Sequence, residues 1–312
     1  MSRFLVTGGA SFIGSHLVER LCRDGHFVRV LDNFSSGKLS NLAGPGVKFE
    51  LVRGDIRSKA ACLKACRRID FVLHQAALRS VPRSMNEPRK YNEVNINGTL
   101  NMLEASRENK VKVFVFASSS SVYGEVKRFP EKEEFVPGPI SPYALSKLAG
   151  EYYCGIFSLH YNLPAVALRY FNVFGPRQAL DDDYAVVVPK FITSMLKGAQ
   201  PPIYGDGRQS RDFTFVTNVV DANLLAVRKK AGVPGVFNVA SGRDYSVLEL
   251  VKALNTLLGK KIKPSFLRKR QGDVFRTLAD LSRSKKVLGY APRVDFKRGL
   301  AITLDYWRAY GR

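Results

Sequence analysis

The sequence predicts an α/β fold with a doubly wound parallel sheet and a smaller, discontinuous C-terminal α/β domain. Two observations lead to this prediction. Short apolar runs alternate with helix-like patterns through the first half of the chain. A glycine-rich turn at residues 8–14 separates the first apolar run from the first helix pattern. Both features are typical of an open parallel sheet with helices on its two faces.

The length and composition are those of a globular protein. The chain has 312 residues, of which 45% are hydrophobic and 24% are charged, which is enough for one large domain or two unequal ones. No apolar run approaches the roughly 18 residues that a membrane-spanning helix needs. The first strand-like run begins at Arg3, which leaves no room for a signal peptide. We therefore expect a cytoplasmic protein.

Four cysteines, Cys22, Cys62, Cys66 and Cys154, fall in helix-like segments. They form no Cys-x-x-Cys pair, and no histidine pair accompanies them. The spacing indicates neither a zinc site nor a disulfide framework. We expect reduced, buried thiols and no metal.

The formal net charge of +22 is unusual and would attract nucleic acid, anionic membranes or anionic ligands. From Lys260 onward there are 15 Lys and Arg residues against four Asp and Glu. The sequence has no recognisable nucleic-acid module, and turn residues flank its longest basic run, at residues 267–270. We expect a solvated basic surface, in which a few arginines hold a diphosphate, rather than a nucleic-acid site.

The first strand, turn and helix predict a dinucleotide site. The apolar run Arg3–Thr7 precedes the glycine-rich turn and a helix pattern, and a second run, Phe27–Leu31, then ends on Asp32. Backbone N–H groups at the start of such a helix point toward an anion, as in a pyrophosphate site. An acidic residue about 20 residues past the glycines accepts the hydroxyls of an adenosine ribose and repels a 2′-phosphate, which favours NAD over NADP. The cofactor contacts expected here are Gly8, Ser11, Phe12, Ile13, Gly14, Asp32 and Asn33.

Further short apolar runs continue the sheet, and ligands are expected at the carboxyl ends of its strands. The runs lie at residues 49–52, 71–73, 113–116 and 166–168. The residues that follow them are expected to line the cofactor groove, with Asp55 and Ile56 at the adenine and Ala76 and Ala77 further along. Four serines, residues 118–121, come next, where a hydroxyl can pass a proton between a substrate alcohol and a base. Some of the four are expected to be satisfied within a polar turn.

A serine and a proline open a helix at residues 141–142. Tyr143 and Lys147 follow, four residues apart on one face of that helix. A phenol has an unperturbed pKa of about 10, and a fixed ammonium beside it favours the phenolate, which is a usable base. Alone, this spacing is as typical of an ordinary solvated helix face, so the other motifs must decide whether Tyr143 and Lys147 are catalytic.

Together, these motifs resemble a known superfamily. Thr-Gly-Gly-Ala-x-Phe-Ile-Gly at residues 7–14, the serine-rich Val-Tyr-Gly turn at 117–124 and Tyr-x-x-x-Lys at 143–147 are similar to the extended short-chain dehydrogenase/reductases. The resemblance runs from residue 3 to about residue 307. Five later segments resemble the nucleotide-sugar 4-epimerases that are like UDP-glucose 4-epimerase, and most closely the UDP-N-acetylglucosamine 4-epimerases: residues 169–178, 184–190, 205–207, 211–213 and 272–274.

In that superfamily a serine, a tyrosine and a lysine form the catalytic set. The resemblance makes Ser119 a proton shuttle, Tyr143 the base, and Lys147 the residue that lowers the pKa of Tyr143 and holds the nicotinamide ribose. It also places Asn95 in the cofactor groove and Tyr170 against the nicotinamide. The implied cofactor is NAD.

The resemblance also implies a UDP-sugar site. It places Asn172, Arg211 and Arg270 at the diphosphate, Tyr204 against the uracil and Asp273 on the ribose of the uridine. Guanidinium groups bind phosphate oxygens in a forked geometry, and a tyrosine offers a ring face, so these residue types suit the role. The other positions implied at the substrate are Arg79, Ser121, Gln178, Val186 and Thr277.

Three of these positions bear on the choice of sugar. In the resembled family the position of Thr277 is bulky in enzymes confined to glucose and galactose, and small in those that admit an N-acetyl group. Thr277 therefore implies space beside C2 of the sugar. Arg79 and Val186 are bulkier than in the strictest N-acetyl-specific relatives. We expect both plain and N-acetylated UDP-hexoses to be accepted.

The implied activity is reversible 4-epimerisation of UDP-hexoses through transient oxidation at C4. Dehydratases of the superfamily carry an Asp-Glu pair in the serine turn, where this chain has Ser119, Ser120 and Ser121. UDP-glucuronate 4-epimerases and decarboxylases remain alternatives, because Arg79 could hold a sugar carboxylate. A nucleotide-sensing or nucleic-acid-binding relative without activity is an alternative of another class. Only the net charge supports it, and the intact catalytic set argues against it.

We expect two domains. The NAD-binding domain is expected at residues 1–172 and about 212–242, and the nucleotide-sugar domain at residues 173–211 and about 243–312. No low-complexity linker or internal repeat separates them.

Two helix patterns, at residues 91–109 and 142–161, carry apolar residues on more than one face, as a buried interface requires. In the resembled family these helices pack against a second subunit. We therefore expect a homodimer, although a core within one chain would give the same pattern.

One position departs from the cofactor fingerprint. The usual Gly-x-x-Gly-x-x-Gly is here Gly8, Ser11 and Gly14, and the middle glycine normally lets the backbone approach the pyrophosphate. The serine methylene would crowd the phosphate, while its hydroxyl could donate a hydrogen bond worth about 1 kcal/mol. We expect NAD to bind, with the Ser11 hydroxyl facing the pyrophosphate.

Overall fold

The central element of the structure is a seven-stranded parallel sheet. A computed structural model describes residues 1–180, 187–228, 233–268 and 274–310. The strands are β1 (Arg3–Thr7), β2 (Phe27–Asp32), β3 (Glu50–Arg53), β4 (Phe71–His74), β5 (Val113–Ser119), β6 (Ala165–Tyr170), β7 (Val173–Phe174), β8 (Pro202–Tyr204), β9 (Ser210–Asp212), β10 (Thr214–Phe215), β11 (Gly235–Val239), β12 (Asp244–Ser246) and β13 (Ser265–Leu267). The order in the main sheet is β11-β6-β5-β4-β1-β2-β3. The predicted doubly wound sheet is confirmed, and its order reverses between β1 and β4, where such sheets bind ligands.

Helices cover both faces of this sheet. The α-helices of the described residues are α1 (Phe12–Arg23), α2 (Lys59–Cys66), α3 (Val81–Asn86), α4 (Pro88–Tyr91), α5 (Gly98–Glu108), α6 (Pro142–His160), α7 (Val187–Leu196), α8 (Val216–Arg228), α9 (Val247–Leu258), α10 (Ser282–Leu288) and α11 (Phe296–Tyr310), of which α7, α9 and α11 belong to a second core. Side chains of β5 alternate between the faces: Val113 and Val115 pack with α1 and α8, whereas Phe114 and Phe116 pack with α2, α5 and α6. Burial on both faces explains why the strands read as continuous apolar runs.

A second core lies among the later elements. Phe174, Phe213, Phe215 and Phe296 pack there with apolar residues of α7, α9 and α11. Three two-stranded sheets, β7 with β10, β9 with β12 and β8 with β13, accompany this core. The side chain of Phe12, the first residue of α1, packs against it. The second core therefore meets the main sheet at its carboxyl edge.

The predicted helix at residues 91–109 is interrupted. Between α4 and α5 the segment Asn92–Asn97 is a π-helix, a local widening that often marks a functional position. Asn95 lies in it and is buried. The amide of Asn95 accepts a hydrogen bond from the Leu78 N–H at 2.8 Å and donates one to the Leu78 carbonyl at 2.9 Å. Sequence periodicity carries no signal for this distant pairing.

Cys62, Cys66 and Cys154 are buried free thiols, as expected, whereas the free thiol Cys22 is only half-buried. Burial raises the pKa of both Cys62 and Cys66 to about 12, so these thiols stay protonated. In the part of the chain that the structure describes, no helix has both the length and the apolar character to cross a membrane.

Helix α6 approaches the sheet so closely that only glycine fits at one position. A Cβ placed on Gly150 would lie 2.3 Å from the Phe116 Cζ. We expect Gly150→Ala to lower the free energy of unfolding by about 1–3 kcal/mol, because a buried ring cannot yield without strain. The matched control is Gly155→Ala on the exposed side of α6, where a Cβ meets nothing within 4 Å. This control should gain roughly 0.5–1 kcal/mol from helix propensity. Urea titration of both variants tests the prediction, and equal stabilities would contradict it.

Candidate functional site

The glycine-rich turn is too tight for side chains at its ends. Gly8 has a positive φ of 64°, and a Cβ on Gly14 would lie 2.1 Å from the Gly8 carbonyl oxygen. Helix α1 begins directly after Ser11 and leaves the N–H groups of Phe12 and Ile13 without acceptors inside the helix. These N–H groups, at the positive end of the helix dipole, form the predicted anion site.

The expected direction of the Ser11 hydroxyl is wrong for this structure. The hydroxyl donates to the Gly8 carbonyl at 2.6 Å and accepts from the Gly14 N–H at 3.4 Å. It therefore points into the turn rather than toward an approaching phosphate. The physical reason is its position: Ser11 is the N-cap of α1, where a serine oxygen satisfies an N–H group of the first turn.

Two acidic residues mark the predicted ribose and adenine positions. Asp32 ends β2, is buried, and accepts from the Ala10 N–H at 2.9 Å and the Phe34 N–H at 2.8 Å. Asp55 accepts from Asn33 Nδ2 at 2.8 Å. The neighbouring Arg57 side chain bonds to Asp55 and holds the pKa of that carboxyl at about 2. Asp32 keeps lone pairs for a further hydroxyl donor, whereas Asn33 and Arg57 already fill the four lone-pair sites of Asp55. Ile56 is buried directly after Asp55.

The groove wall after β4 is held from two sides. A Cβ on Gly8 would lie 2.9 Å from the Ala76 Cα, so the turn packs directly on the segment of Ala76 and Ala77. Asn95 fixes the following residue through the two bonds described above. The Asn95 amide also donates to Ser146 Oγ in α6 at 3.0 Å. Asn95 thus supports the groove by joining its wall to α6.

Tyr170, at the end of β6, is buried and fully hydrogen-bonded. Its hydroxyl donates to Gln75 Oε1 at 3.2 Å and accepts from Asn223 Nδ2 at 2.8 Å. Burial raises its pKa to about 12, so the group stays neutral at physiological pH. Tyr170 can supply a ring face at the groove but not a base.

The predicted catalytic set is brought together at the ends of β5 and α6. Ser119 ends β5, and its hydroxyl donates to Ser121 Oγ at 3.1 Å. Ser141 caps α6 by accepting from the Ala144 N–H at 3.1 Å, which confirms the predicted helix start. Tyr143, in the first turn of α6, lies near enough to Ser119 for their hydrogen bond to affect the tyrosine pKa. A phenol and a hydroxyl therefore face each other at the carboxyl edge of the sheet.

The electrostatics differ from the expectation that Lys147 makes Tyr143 acidic. Burial raises the pKa of Tyr143, while the Ser119 hydroxyl and the Arg79 charge lower it to a lesser extent. Burial also lowers the pKa of Lys147 to about 7. The Lys147 ammonium donates to the Ala117 carbonyl at 2.8 Å and lies 6.0 Å from the Tyr143 ring centroid. Desolvation therefore outweighs the attraction between the two groups in the free protein.

Several residues expected at the substrate cluster around Thr277. Asn172 Nδ2 donates to Thr277 Oγ1 at 2.9 Å, and the Asp212 N–H donates to the Thr277 carbonyl at 3.0 Å. Arg211 precedes Asp212 in β9, and its guanidinium donates to the Phe275 carbonyl at 3.2 Å. The structure thus joins three residues that are up to 105 positions apart.

The remaining substrate positions are less closely grouped. Gln178 is buried, and its Nε2 donates to the Val173 carbonyl at 2.9 Å. Lys190 Nζ lies 5.7 Å from the centroid of the Tyr204 ring, and Ser121 belongs to the short helix after β5. Three expected residues, Val186, Arg270 and Asp273, lie outside the residues that the structure describes.

The sequence analysis missed two residues beside the catalytic set. Glu151 of α6 and Arg169 of β6 form an ion pair with side chains only 4% and 3% exposed. The sequence does indicate that Glu151 lies on the same helix face as the catalytic residues, because it follows Lys147 by four residues, as Lys147 follows Tyr143. No sequence spacing indicates that Arg169, 18 positions further along the chain, is the partner of Glu151.

Comparisons with known proteins show which family the sequence and the fold resemble. The family described as "NAD dependent epimerase/dehydratase family" matches residues 4–240. The UDP-glucose 4-epimerase of Mycolicibacterium smegmatis is 40% identical over 310 residues, which cover 98% of each chain. Similarity therefore extends over both cores of the structure.

Two solved structures are similar throughout their length. One is a UDP-N-acetylglucosamine 4-epimerase from Methanobrevibacter ruminantium in complex with UDP-N-acetylmuramic acid. It is 41% identical, with a TM-score of 0.94 over 99% of this chain and 98% of that one. The other is the Thermus thermophilus UDP-glucose 4-epimerase in complex with NAD. It is 38% identical, with a TM-score of 0.89 over 99% of both chains.

The N-cap role of Ser11 predicts how substitutions at this position change the free energy of unfolding. We expect Ser11→Ala to lower the free energy of unfolding by about 1 kcal/mol, because the cap is lost, and Ser11→Gly to lower it by only a few tenths. Thermal unfolding of the two variants beside the wild type measures the difference. If Ser11→Ala is as stable as the wild type, the hydroxyl does not stabilise α1.

Proposed function

The chain belongs to the NAD dependent epimerase/dehydratase family, and from this premise we propose that it catalyses the reversible 4-epimerisation of UDP-hexoses. The substrates proposed are UDP-GlcNAc with UDP-GalNAc and UDP-glucose with UDP-galactose. The observation that supports the proposal best is the convergence of Ser119, Tyr143 and Lys147 beside a tight glycine turn. A phenol, a hydroxyl and a buried ammonium at that place suit alcohol oxidation next to a dinucleotide.

The turn and the edge after β2 fit NAD. Gly14 packs directly on the Gly8 carbonyl, which keeps the turn tight, and the first turn of α1 offers N–H donors to a phosphate. Asp32 suits an adenosine ribose with free hydroxyls. When bound, NAD supplies a reversible hydride acceptor for C4 of the sugar. Because the Ser11 hydroxyl is turned inward, Ser11→Gly is expected to change the affinity for NAD by less than roughly tenfold.

Proton transfer is the proposed role of the residues at α6. Tyr143 takes the proton from O4 of the sugar, directly or through Ser119, and returns it when C4 is reduced on its opposite face. Lys147 holds the nicotinamide ribose, and its positive charge favours the phenolate. Because burial raises the pKa of Tyr143, the rate is expected to rise with pH until the phenol is ionised.

The nucleotide must stay anchored while the keto sugar turns. We propose that Asn172 and Arg211 hold the diphosphate and that Tyr204 lies against the uracil. Thr277 joins Asn172 to β9, so the two diphosphate contacts are supported by one hydrogen-bonded cluster. Rotation about the diphosphate link then presents the other face of C4 without release of the nucleotide.

UDP-glucuronate 4-epimerisation is the second candidate. Arg79 is exposed, and its charge lowers the pKa of Tyr143, so the guanidinium lies within electrostatic range of the reacting position. The Arg79 guanidinium could hold the C6 carboxylate of a uronate. The discriminating experiment incubates the purified protein separately with UDP-glucose, UDP-N-acetylglucosamine and UDP-glucuronate, and identifies each 4-epimer by proton NMR. Conversion of none of the three would refute both candidates.

We also propose a homodimer that forms through α6. Leu145, Tyr152, Ile156 and Leu159 are between 45% and 76% exposed and recur at helical spacing on one side of α6. An apolar helix face of this kind suits burial against a second copy. Light scattering, compared with the 34.8 kDa of one chain, measures the oligomeric state.

The proposed domains are those expected from the sequence. Strand β11 and helix α8 pack with the main sheet, which supports assigning about 212–242 to the NAD-binding domain with residues 1–172. The second core supports the nucleotide-sugar domain at 173–211 and about 243–312, although Leu288 and Tyr290 within that range pack with the main sheet. Free cysteines suit a reducing compartment, so the cytoplasm is the proposed location.

Tyr143→Phe tests the proton acceptor. We expect the variant to lose most epimerase activity, at least roughly a hundredfold, because the change deletes a general base and leaves the cofactor groove intact. Bound NAD, measured by its release on denaturation, should equal that of the wild type. Turnover near the wild-type rate would exclude Tyr143 as the base.

Thr277→Tyr tests the sugar pocket. Thr277 is only 7% exposed, so a tyrosine ring at this position would fill the space in which the N-acetyl group of the sugar is expected. We expect loss of activity on UDP-N-acetylglucosamine, with activity on UDP-glucose retained. Thr277→Val is the control, because it removes the hydroxyl that bonds to Asn172 without adding a ring. Equal loss of both activities in Thr277→Tyr would show that Thr277 is not the gate.

A further inference from the structure

A buried ion pair joins α6 to two strands beside the proposed site. Glu151 Oε1 accepts from Ser118 Oγ at 2.5 Å and from Arg169 Nε at 2.9 Å, and its Oε2 accepts from Arg169 Nη2 at 2.7 Å. Both charged side chains are almost completely buried. The chemistry proposed above uses none of these three residues.

The pair lies on the helix face that carries the proposed chemistry. Tyr143, Lys147 and Glu151 follow one another at four-residue intervals, so they lie along one side of α6. They interact with three consecutive residues of β5. Lys147 donates to the Ala117 carbonyl, and Glu151 accepts from the Ser118 hydroxyl. The Ser119 hydroxyl interacts with Tyr143 and lowers its pKa. Glu151 is the member of this series that also reaches β6.

The strand register places the pair one residue from the site. Ser118 is paired with Arg169, and the next pair along the strands is Ser119 with Tyr170. Because side chains alternate along a strand, Ser118 and Arg169 face α6, whereas Tyr170 packs in the cluster on the other face of the sheet. The carboxylate of Glu151 therefore fixes the helix to both strands directly before the residues proposed to meet the sugar and the nicotinamide.

Arg169 is itself held on its far side. Its guanidinium carbon lies 4.6 Å from the centroid of the Tyr123 ring, and the Tyr123 hydroxyl donates to Asn238 Oδ1 in β11 at 2.7 Å. Burial lowers the pKa of Arg169, but the bonds to Glu151 outweigh this and hold the pKa above its ordinary value. The anchor for Glu151 is thus a permanent cation in a fixed place.

The same bonds keep the carboxylate away from the proposed ammonium. Glu151 is one helical turn from Lys147, and an unpaired carboxylate there would attract the ammonium. Both oxygens of Glu151 are occupied by Arg169, with Ser118 on one of them. Lys147 instead bonds to the backbone of β5 and stays near Tyr143.

We propose that Glu151, anchored by Arg169 and Ser118, is a positioning residue that sets the place of Tyr143 and Lys147 relative to Ser119. This inference rests on the proposed function of the three residues that it positions. A shift of about 1 Å in reacting groups can cost roughly a hundredfold in rate, so an effect on turnover is expected without direct contact to the sugar.

The test compares Glu151→Gln with a remote control, Glu50→Gln, whose side chain also pairs with an arginine but is half-exposed. Glu50 accepts from the buried Arg29 at 3.0 Å on the opposite edge of the sheet. We expect Glu151→Gln to lower kcat by roughly 10- to 100-fold, with the KM for the UDP-sugar changed by less than about threefold. The acid limb of its pH-rate profile should move to higher pH, because loosening of α6 from β5 moves Tyr143 away from the Ser119 hydroxyl that lowers the tyrosine pKa. Glu50→Gln should change none of these quantities.

A second variant, Ser118→Ala, tests the proposal if Glu151→Gln does not fold. Ser118→Ala leaves the ion pair intact and frees Glu151 from β5, so it should change kcat and the pH profile in the same direction by a smaller factor. If the kcat per folded, NAD-loaded molecule is unchanged in both variants, the residues only stabilise the fold and the proposal is overturned.

Failure of the proposed function gives a different result. If the wild type converts no UDP-sugar, amide hydrogen exchange over residues 142–151 replaces kcat as the measurement. Exchange about tenfold faster over these residues in Glu151→Gln or Ser118→Ala than in Glu50→Gln, with the free energy of global unfolding unchanged, would still support positioning. Equal exchange in the three variants, or faster exchange that a lower free energy of global unfolding explains, would overturn it.

Discussion

The close packing of α6 on the carboxyl half of β5 is the constraint on which the rest of the site depends. Gly150 brings the helix onto the Phe116 ring, and the next three residues of β5 each meet a polar side chain of α6. No larger residue at Gly150 allows this approach. The distance between the helix and the strand therefore decides whether a phenol on one element can exchange a proton with a hydroxyl on the other.

Burial, more than pairing of charges, sets the electrostatics of this site. It raises the pKa of Tyr143 and lowers that of Lys147 to about 7, so burial opposes formation of the Tyr143 phenolate. The groups that oppose this effect are the Ser119 hydroxyl and the Arg79 charge. A site of this kind is poised for a bound ligand to change its protonation, because small changes in solvation or charge have large effects where water is excluded.

Features encoded in short stretches of sequence could be predicted. The first strand, the glycine turn and Asp32 follow from local patterns, and Ser141 caps α6 as expected. Polar residues that directly follow an apolar run, such as the serines after residues 113–116, were also predicted to lie at a strand end. These signals are local because they depend on backbone conformation and on the alternation of burial.

Features that depend on distant partners could not be predicted. The Glu151–Arg169 pair spans 18 positions and the Asn172–Thr277 bond spans 105, so no sequence spacing reveals them. The Ser11 hydroxyl was assigned the wrong direction because helix capping competes with the ligand for the same oxygen. The influence of Lys147 on Tyr143 was overestimated because the pattern shows a neighbouring charge but not the burial of both groups.

The most direct measurement of the central claim follows the hydrogen at C4. UDP-glucose labelled with deuterium at C4 is incubated with the purified protein in ordinary water, and the recovered sugar is analysed by proton NMR and mass spectrometry. Oxidation and reduction by one retained cofactor predict UDP-galactose that keeps its deuterium at C4, since the hydride never meets solvent. Product that has exchanged its deuterium for solvent hydrogen would contradict the account.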